Sequence, residues 1–179
     1  MKIIGITGTL GAGKGTIVDY LVKEKAYLHF SVRAYLVREI EKLGLPVNRD
    51  SMTSVANELR AKNSSAFIIE ELYKEAVKTE KNSIIESIRT PGEIDFLKKQ
   101  GNFILLAVDA DPKIRFERIK LRASETDNID FDTFVANEKR EMTSKDVNKQ
   151  NLGKCIEMAD IVLNNNGSIS QLIDQLNQI

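Results

Sequence analysis

The residues with the clearest chemistry lie close to the start of the chain, in Gly8-Thr9-Leu10-Gly11-Ala12-Gly13-Lys14-Gly15-Thr16. Glycines at this spacing let a backbone wrap a polyphosphate and aim its N–H groups inward, because no side chain blocks the approach. Lys14 follows as an ammonium on a long, mobile stem, suited to the terminal phosphates of a nucleotide. Gly8, Gly13 and Lys14 match the Gly-x-x-x-x-Gly-Lys-[Ser/Thr] spacing, with the hydroxyl one place late at Thr16 because Gly15 intervenes. The flanks agree with a phosphate-binding loop. The apolar run Ile3, Ile4, Ile6 predicts a short buried strand before it, and Ile17, Val18, Leu21, Val22 predict a helix after it. The helix N-terminus adds partial positive charge at the loop.

Phosphoryl transfer also needs positive charge on the far side of the moving group, and arginine grips phosphate oxygens in pairs. Arg89 stands just beyond an Ile-Ile-Glu-Ser strand end, on the carboxyl edge where parallel sheets bind ligands. Glu86, in the same stretch, could orient Mg²⁺ through water or accept a proton from the nucleophile. Arg33 and Arg38 follow Ser31 at the head of a helical stripe, and Arg60 lies on a later helix. Arg118 and Arg122 are four apart on one helix face.

The elements that must place these side chains alternate. Strands are expected at Tyr27–Phe30, Ser83–Ser87, Phe103–Val108 and Ile161–Leu163 besides the first. Helices are expected from Gly13 to Lys25, from Ser31 to Leu43, over Ser51–Lys62 and over Ala66–Thr79, the last with Phe67, Ile68, Leu72, Tyr73 and Val77 inward. More follow at Pro91–Gln100, Lys113–Arg122, Phe131–Met142, Leu152–Met158 and Ile169–Leu176. This order predicts a single α/β domain with three α/β/α layers around a five-stranded parallel sheet. Its core would comprise 1–30, 80–122 and 150–179, with helical and polar insertions at 31–79 and 123–149.

At this point the loop, with glycine between lysine and threonine, resembles that of nucleoside monophosphate kinases of the adenylate-kinase type. The resemblance implies a P-loop NTPase fold, ATP and Mg²⁺, an acceptor-binding helical insertion at 31–79 and a short lid at 123–149. It implies phosphate-donor contacts from Gly11, Ala12, Gly13, Lys14, Gly15 and Thr16, and catalytic roles for Lys14, Arg89, Arg122 and Glu86. Glu86-Ser87-Ile88-Arg89 is similar to the family's Asp-Gly-x-Pro-Arg, whose arginine holds the acceptor phosphate. Ser31-Val32-Arg33 through Arg38 is similar to its Ser-Thr-Gly-Asp-x-Leu-Arg element, so Ser31 and one of Arg33 and Arg38 are expected at the acceptor, with Arg60 nearby. Phe116-Glu117-Arg118 through Arg122 is similar to the pattern before the lid, where the first arginine stacks on the donor adenine. Within the lid, Arg140 could close over the phosphates. Metal contacts would fall to Thr16 and Glu86. Ala159–Ser168 is similar to a segment of dephospho-coenzyme A kinases, which places Asn166 and Gly167 by the donor base and opens a second acceptor class.

Composition narrows the rest. With 26 basic and 26 acidic residues, nothing favours nucleic acid or an anionic membrane surface. One cysteine and one histidine argue against a disulfide, a multi-cysteine metal site and a Ser-His triad. Apolar residues make up 42% with no membrane-length run, so a cytoplasmic protein is expected, and the resemblance adds small-molecule nucleotides as its substrates. The oligomeric state is not legible. A nucleotide-operated switch fits less well: Asn148-Lys149-Gln150-Asn151 lacks the aspartate that reads guanine. A nucleotide-binding module without turnover stays as the alternative of a different class.

Overall fold

The computed structural model describes residues 1–123 and 128–179. Strand β1 (Ile3–Gly8) carries apolar residues on both faces and is buried throughout, which suits the middle of a covered sheet. It is flanked by β3 (Ser83–Glu86) and β4 (Phe103–Asp109), with β2 (Leu28–Ser31) and β5 (Ile161–Asn164) at the edges, in the order β2-β3-β1-β4-β5. All pairings are parallel. The register sets Ser31 beside Glu86 and Gly8 beside Val108, so every strand delivers its carboxyl end to one edge.

Helices cover both faces. On one side Ile4, Ile6, Ile84, Leu106 and Val108 pack with α1 (Lys14–Lys25) and α9 (Ile169–Leu176). On the other, Ile3, Ile85, Ile88 and Leu105 pack beneath α2 (Val32–Lys42), α3 (Arg49–Lys62), α4 (Phe67–Val77) and α5 (Pro91–Lys99). Full burial of each such side chain contributes about 1.5–3 kcal/mol. Between β4 and β5 lie α6 (Pro112–Arg122), α7 (Phe131–Met142) and α8 (Leu152–Glu157). The three-layer α/β fold expected from the sequence is present. No helix among the described residues is long and apolar enough to cross a membrane.

Three differences are instructive. The inward face of α4 is Ile68, Ile69, Leu72 and Ala76, while Val77, expected inward, is 42% exposed. Leu43 is exposed because α2 ends at Lys42. Helix α3 begins two residues early, because Asn48 accepts from Ser51 N (2.9 Å) and the Ser51 hydroxyl accepts from Asn48 N in return. That early start draws Arg49 into the first turn.

Candidate functional site

The loop after β1 is shaped by its glycines. Gly8, Gly11 and Gly13 have φ of 139°, 78° and 107°. A Cβ on Gly11 would stand 2.5 Å from the Arg115 carbonyl oxygen, and one on Gly13 would stand 2.2 Å from Asn165 Nδ2. Side chains behind the loop take its carbonyls. Asn165 Nδ2 donates to Ala12 O (2.8 Å), and Arg115 donates to Leu10 O (3.3 Å) and Ala110 O (2.7 Å). Thr9 Oγ1 is tied to Asp109 Oδ1 at 2.6 Å. With the carbonyls held outward, the amides are left for a ligand.

Beside this loop lies a cavity of about 580 Å³. Its loop side is Leu10, Gly11, Gly13, Lys14, Gly15 and Thr16, joined by Asn165 and Ile169. Its opposite side collects Arg33, Arg49, Arg60, Arg89, Glu86 and Glu141 around Val32, Leu36, Met52 and Ala56. Arg118 and Arg122 close a third side. Guanidinium groups from α2, α3, α6 and the segment after β3 therefore meet one glycine-rich loop.

Lys14 Nζ donates to Gly8 O (3.0 Å) and Thr9 O (2.8 Å). Burial lowers its pKa to about 7, with the Arg89 and Arg122 charges acting in the same direction and Glu86 and Glu141 opposing. Burial alone would raise the Glu86 carboxyl. Hydrogen bonds from His29 (3.1 Å) and Ser87, with the Lys14 charge, outweigh it and hold Glu86 at about 2. Ser87 adopts φ 71°, a left-handed conformation that bends the chain sharply after β3. Its N–H and that of Ile88 both donate to Ile6 O, which fixes the turn carrying Arg89.

Arg89 Nη1 donates to Glu141 Oε2 (2.8 Å) and Gln150 Oε1 (3.0 Å). The other Glu141 oxygen accepts from Arg49. Burial would raise the Glu141 pKa, but the two arginines hold it below the usual carboxylate range. Arg60 is 2% exposed and is neutralised by Glu93, which accepts from its Nε (3.1 Å) and Nη2 (2.8 Å). The other Glu93 oxygen accepts the N–H groups of Arg89 (2.7 Å) and Thr90 (3.0 Å) at the head of α5.

Several expected residues are placed elsewhere. Arg38 pairs with Glu75 (3.5 Å) on the outside of α2, because five residues beyond Arg33 is a further ~140° around the helix. Ser31 caps α2 by accepting from Ala34 N (3.2 Å) and does not line the cavity. Asn166 accepts from Asp111 N (2.6 Å) and faces, with Gly167, a separate hollow. Their neighbour Asn165 is the residue on the cavity. Ala12 is buried behind the loop, so that only its backbone is engaged. Arg140 is exposed near Asn137 and Asp50, whereas the next residue, Glu141, turns inward. Of the expected lid, residues 124–127 lie outside the described residues.

The residues that sequence reading missed are Arg49, Glu141, Gln150, Glu93, Arg115 and Asn165. One signal was available: Arg49, Met52, Thr53, Ala56 and Arg60 form a helical stripe, and all line the cavity.

A family model described as an AAA domain matches residues 4–146. A UPF0200 protein of Methanococcus vannielii is 33% identical over 182 residues, covering 100% of this chain and 95% of its own. Another, from Methanocaldococcus jannaschii, is 31% identical and covers 100% and 89%. The chain belongs to the UPF0200 family. Among solved structures, this UPF0200 chain is similar to a gluconokinase from Sinorhizobium meliloti (TM-score 0.61, 10% identity, 97% and 88% covered). It is also similar to a shikimate kinase from Bacteroides thetaiotaomicron (TM-score 0.57, 14% identity, 99% and 97% covered). At these identities the likeness establishes the fold alone, and the chemistry has to be argued from the site.

Proposed function

We propose that this UPF0200 protein is an ATP-dependent phosphotransferase acting on a small anionic acceptor. The observation that carries the reading is convergence: Lys14 and six arginines from separate segments line one cavity beside the glycine loop. In phosphoryl transfer the protein mainly holds donor and acceptor in line and stabilises charge on the moving group. The loop amides and Lys14 would hold the donor phosphates, with Arg118 against the base and Arg122 near the phosphates. Gly15 supports this, because a Cβ there would meet nothing within 4 Å and the backbone is open to close approach. Arg49 and Arg89 would hold the acceptor's anionic group, with the exposed Arg33 set apart beside Met52 Sδ (3.4 Å), and the apolar Val32, Leu36, Met52 and Ala56 would hold its body.

Mg²⁺ fits the oxygen donors present. Thr16 and the Glu86 carboxylate both line the cavity, and Glu86 is ionised at any physiological pH. The metal would neutralise phosphate charge.

Two acceptor classes follow. A nucleoside monophosphate suits the apolar floor between α2 and α3. A dephospho-coenzyme A-like or other small alcohol is favoured by Glu86, an ionised carboxylate at the strand end that can orient a hydroxyl by accepting its hydrogen bond. ATP consumption with a panel of AMP, CMP, dCMP, UMP, GMP, dephospho-coenzyme A and small hydroxy acids tests the reading. Turnover dependent on one acceptor is expected. Saturable ATP binding with no turnover on any would leave a nucleotide-binding module instead.

A further inference from the structure

The cavity already contains an anion of its own. Glu141 is 5% exposed, lines the cavity, and places one oxygen on Arg49 and the other on Arg89. Gln150 takes a second contact from the same Arg89 nitrogen, so both N–H groups of Nη1 are committed. Two guanidinium groups sharing one carboxylate keep a net charge of one. The neighbouring Arg60 contributes none, because Glu93 is buried against it.

Glu141 is also fixed in place. It sits in the last turn of α7, and that helix is anchored by the pair between Arg115 and Glu138 (Nη2 to Oε1, 3.0 Å). The ring cluster Phe116–Phe131–Phe134 holds the other end, with Phe134 fully buried. A ligand entering the cavity therefore meets the arginine pair with its internal carboxylate in position.

We propose that Glu141 is a specificity-determining residue that restricts the acceptor to one negative charge at the Arg49–Arg89 pair, a carboxylate or equivalent monoanion in preference to a phosphate dianion. The physical reason is charge balance. A dianion brought to a pair of net charge one leaves uncompensated negative charge beside a buried carboxylate, and the low dielectric makes that repulsion costly. A monoanion is matched. This inference rests on the phosphotransferase reading for the word acceptor, but not for the anion selectivity, which is a property of the pair.

The test uses the full chain with Glu141→Gln, which keeps the shape and one of the two acceptor oxygens and removes the charge. Thermal melts and calorimetric titrations with inorganic phosphate, at saturating ADP, compare variant with wild type. The variant is expected to melt lower than wild type, because two half-buried guanidinium groups lose their counter-ion. Phosphate is then expected to raise its midpoint by several degrees and to bind at least tenfold tighter than to wild type. A merely structural Glu141 would lower the midpoint without any gain in phosphate affinity, and that result overturns the proposal. Arg49→Met/Glu141→Gln restores the net charge of one through Arg89 alone. Its phosphate affinity is expected within threefold of wild type, and retention of the tenfold gain there would equally overturn the assignment. In the acceptor panel, wild type is expected to turn over singly charged hydroxy acids with a higher kcat/KM than any nucleoside monophosphate. The reverse order counts against the proposal, whereas absence of ADP binding and of all turnover sinks the phosphotransferase reading and leaves the phosphate comparison standing.

Discussion

The two long walls of the cavity are built by opposite means. The wall proposed for the donor is one unbroken stretch, Gly8 to Thr16, shaped by left-handed glycines and by carbonyls tied from behind. The wall proposed for the acceptor gathers Arg33, Arg49, Arg60, Arg89 and Glu141 from α2, α3, the turn after β3 and α7. In the first wall the course of the backbone is set by the glycines of one short stretch, with Asn165 and Arg115 fastening it from behind. In the second each residue's position follows from helix phase and from ion pairs across long sequence separations, so a one-residue change of phase swings a side chain by about 100°. Arg33 and Arg38 illustrate the difference, one facing the cavity and the other paired with Glu75 on the outside.

The largest expected effect breaks the donor wall at its charge. Lys14→Ala should lower turnover roughly 100- to 1,000-fold, by analogy with removal of one preorganised charge-stabilising group. Far-UV circular dichroism and the melting midpoint should show the fold retained. Turnover within a few-fold of wild type would remove Lys14 from the chemistry.

The second prediction separates the walls. Arg89→Ala should raise the acceptor KM roughly 10- to 100-fold, the loss of a charge-assisted contact, with little change in the KM for ATP. Arg118→Ala should do the reverse, raising the KM for ATP by roughly 3- to 30-fold, as loss of a cation–π contact would. Steady-state kinetics with both substrates varied reads the two effects together. Equal effects of either variant on both substrates would mean that the cavity is not divided in this way.

How much of this was legible follows the same division. The loop, the sheet and most helices could be read because glycine spacing, apolar runs and caps act locally. Arg89 could be placed because a residue just past a parallel strand must emerge at the carboxyl edge. Arg49 was lost because the cap at Asn48 starts α3 earlier than the apolar pattern does. Glu141 was hidden in Glu138-Lys139-Arg140-Glu141, a run that any solvated helix shows, and its inward role appears only in its pairs with Arg49 and Arg89 from distant segments. Asn165 and Asn166 are identical side chains one place apart, yet one donates to Ala12 O behind the loop and the other accepts from Asp111 N. Such residues carry no local signal of their role.

The donor wall can be sharpened with two of its own glycines, whose replacement should act in opposite directions. Gly13→Ala forces a side chain into φ 107° and against Asn165, at 2.2 Å from its Nδ2. It should destabilise the fold by about 1–3 kcal/mol, the usual cost of such strain, with loss of the Asn165 contact to Ala12. Gly15→Ala lies in the first turn of α1 with open space around it. It should leave stability unchanged or raise it by up to about 1 kcal/mol through helix propensity, yet weaken nucleotide binding by filling the approach to the backbone. Denaturant midpoints paired with ATP titrations measure both signs. A stabilised Gly15→Ala that binds ATP as wild type does would show that the loop's openness at this position serves no ligand.

The smallest effect concerns protons. Lys14 is held at about 7 in the free protein, chiefly by burial and then by Arg89. A bound triphosphate favours the ammonium and must raise that value. Below pH 7 Lys14 is charged in both states, and affinity owes nothing to its titration. Above pH 7 the free lysine loses its proton and binding must restore it, so ATP affinity should fall by at most tenfold per pH unit until the pKa of the complex is passed. Glu86, at about 2, stays ionised across this window and adds no slope. Calorimetric titration at pH 8 in buffers of different ionisation enthalpy should register proton uptake approaching one per ATP, and the uptake should vanish in Lys14→Met. With Lys14 serving the donor alone, acceptor binding should show no such uptake. A matching slope for the acceptor would mean that the lysine serves both sides, and that the two walls are one electrostatic unit.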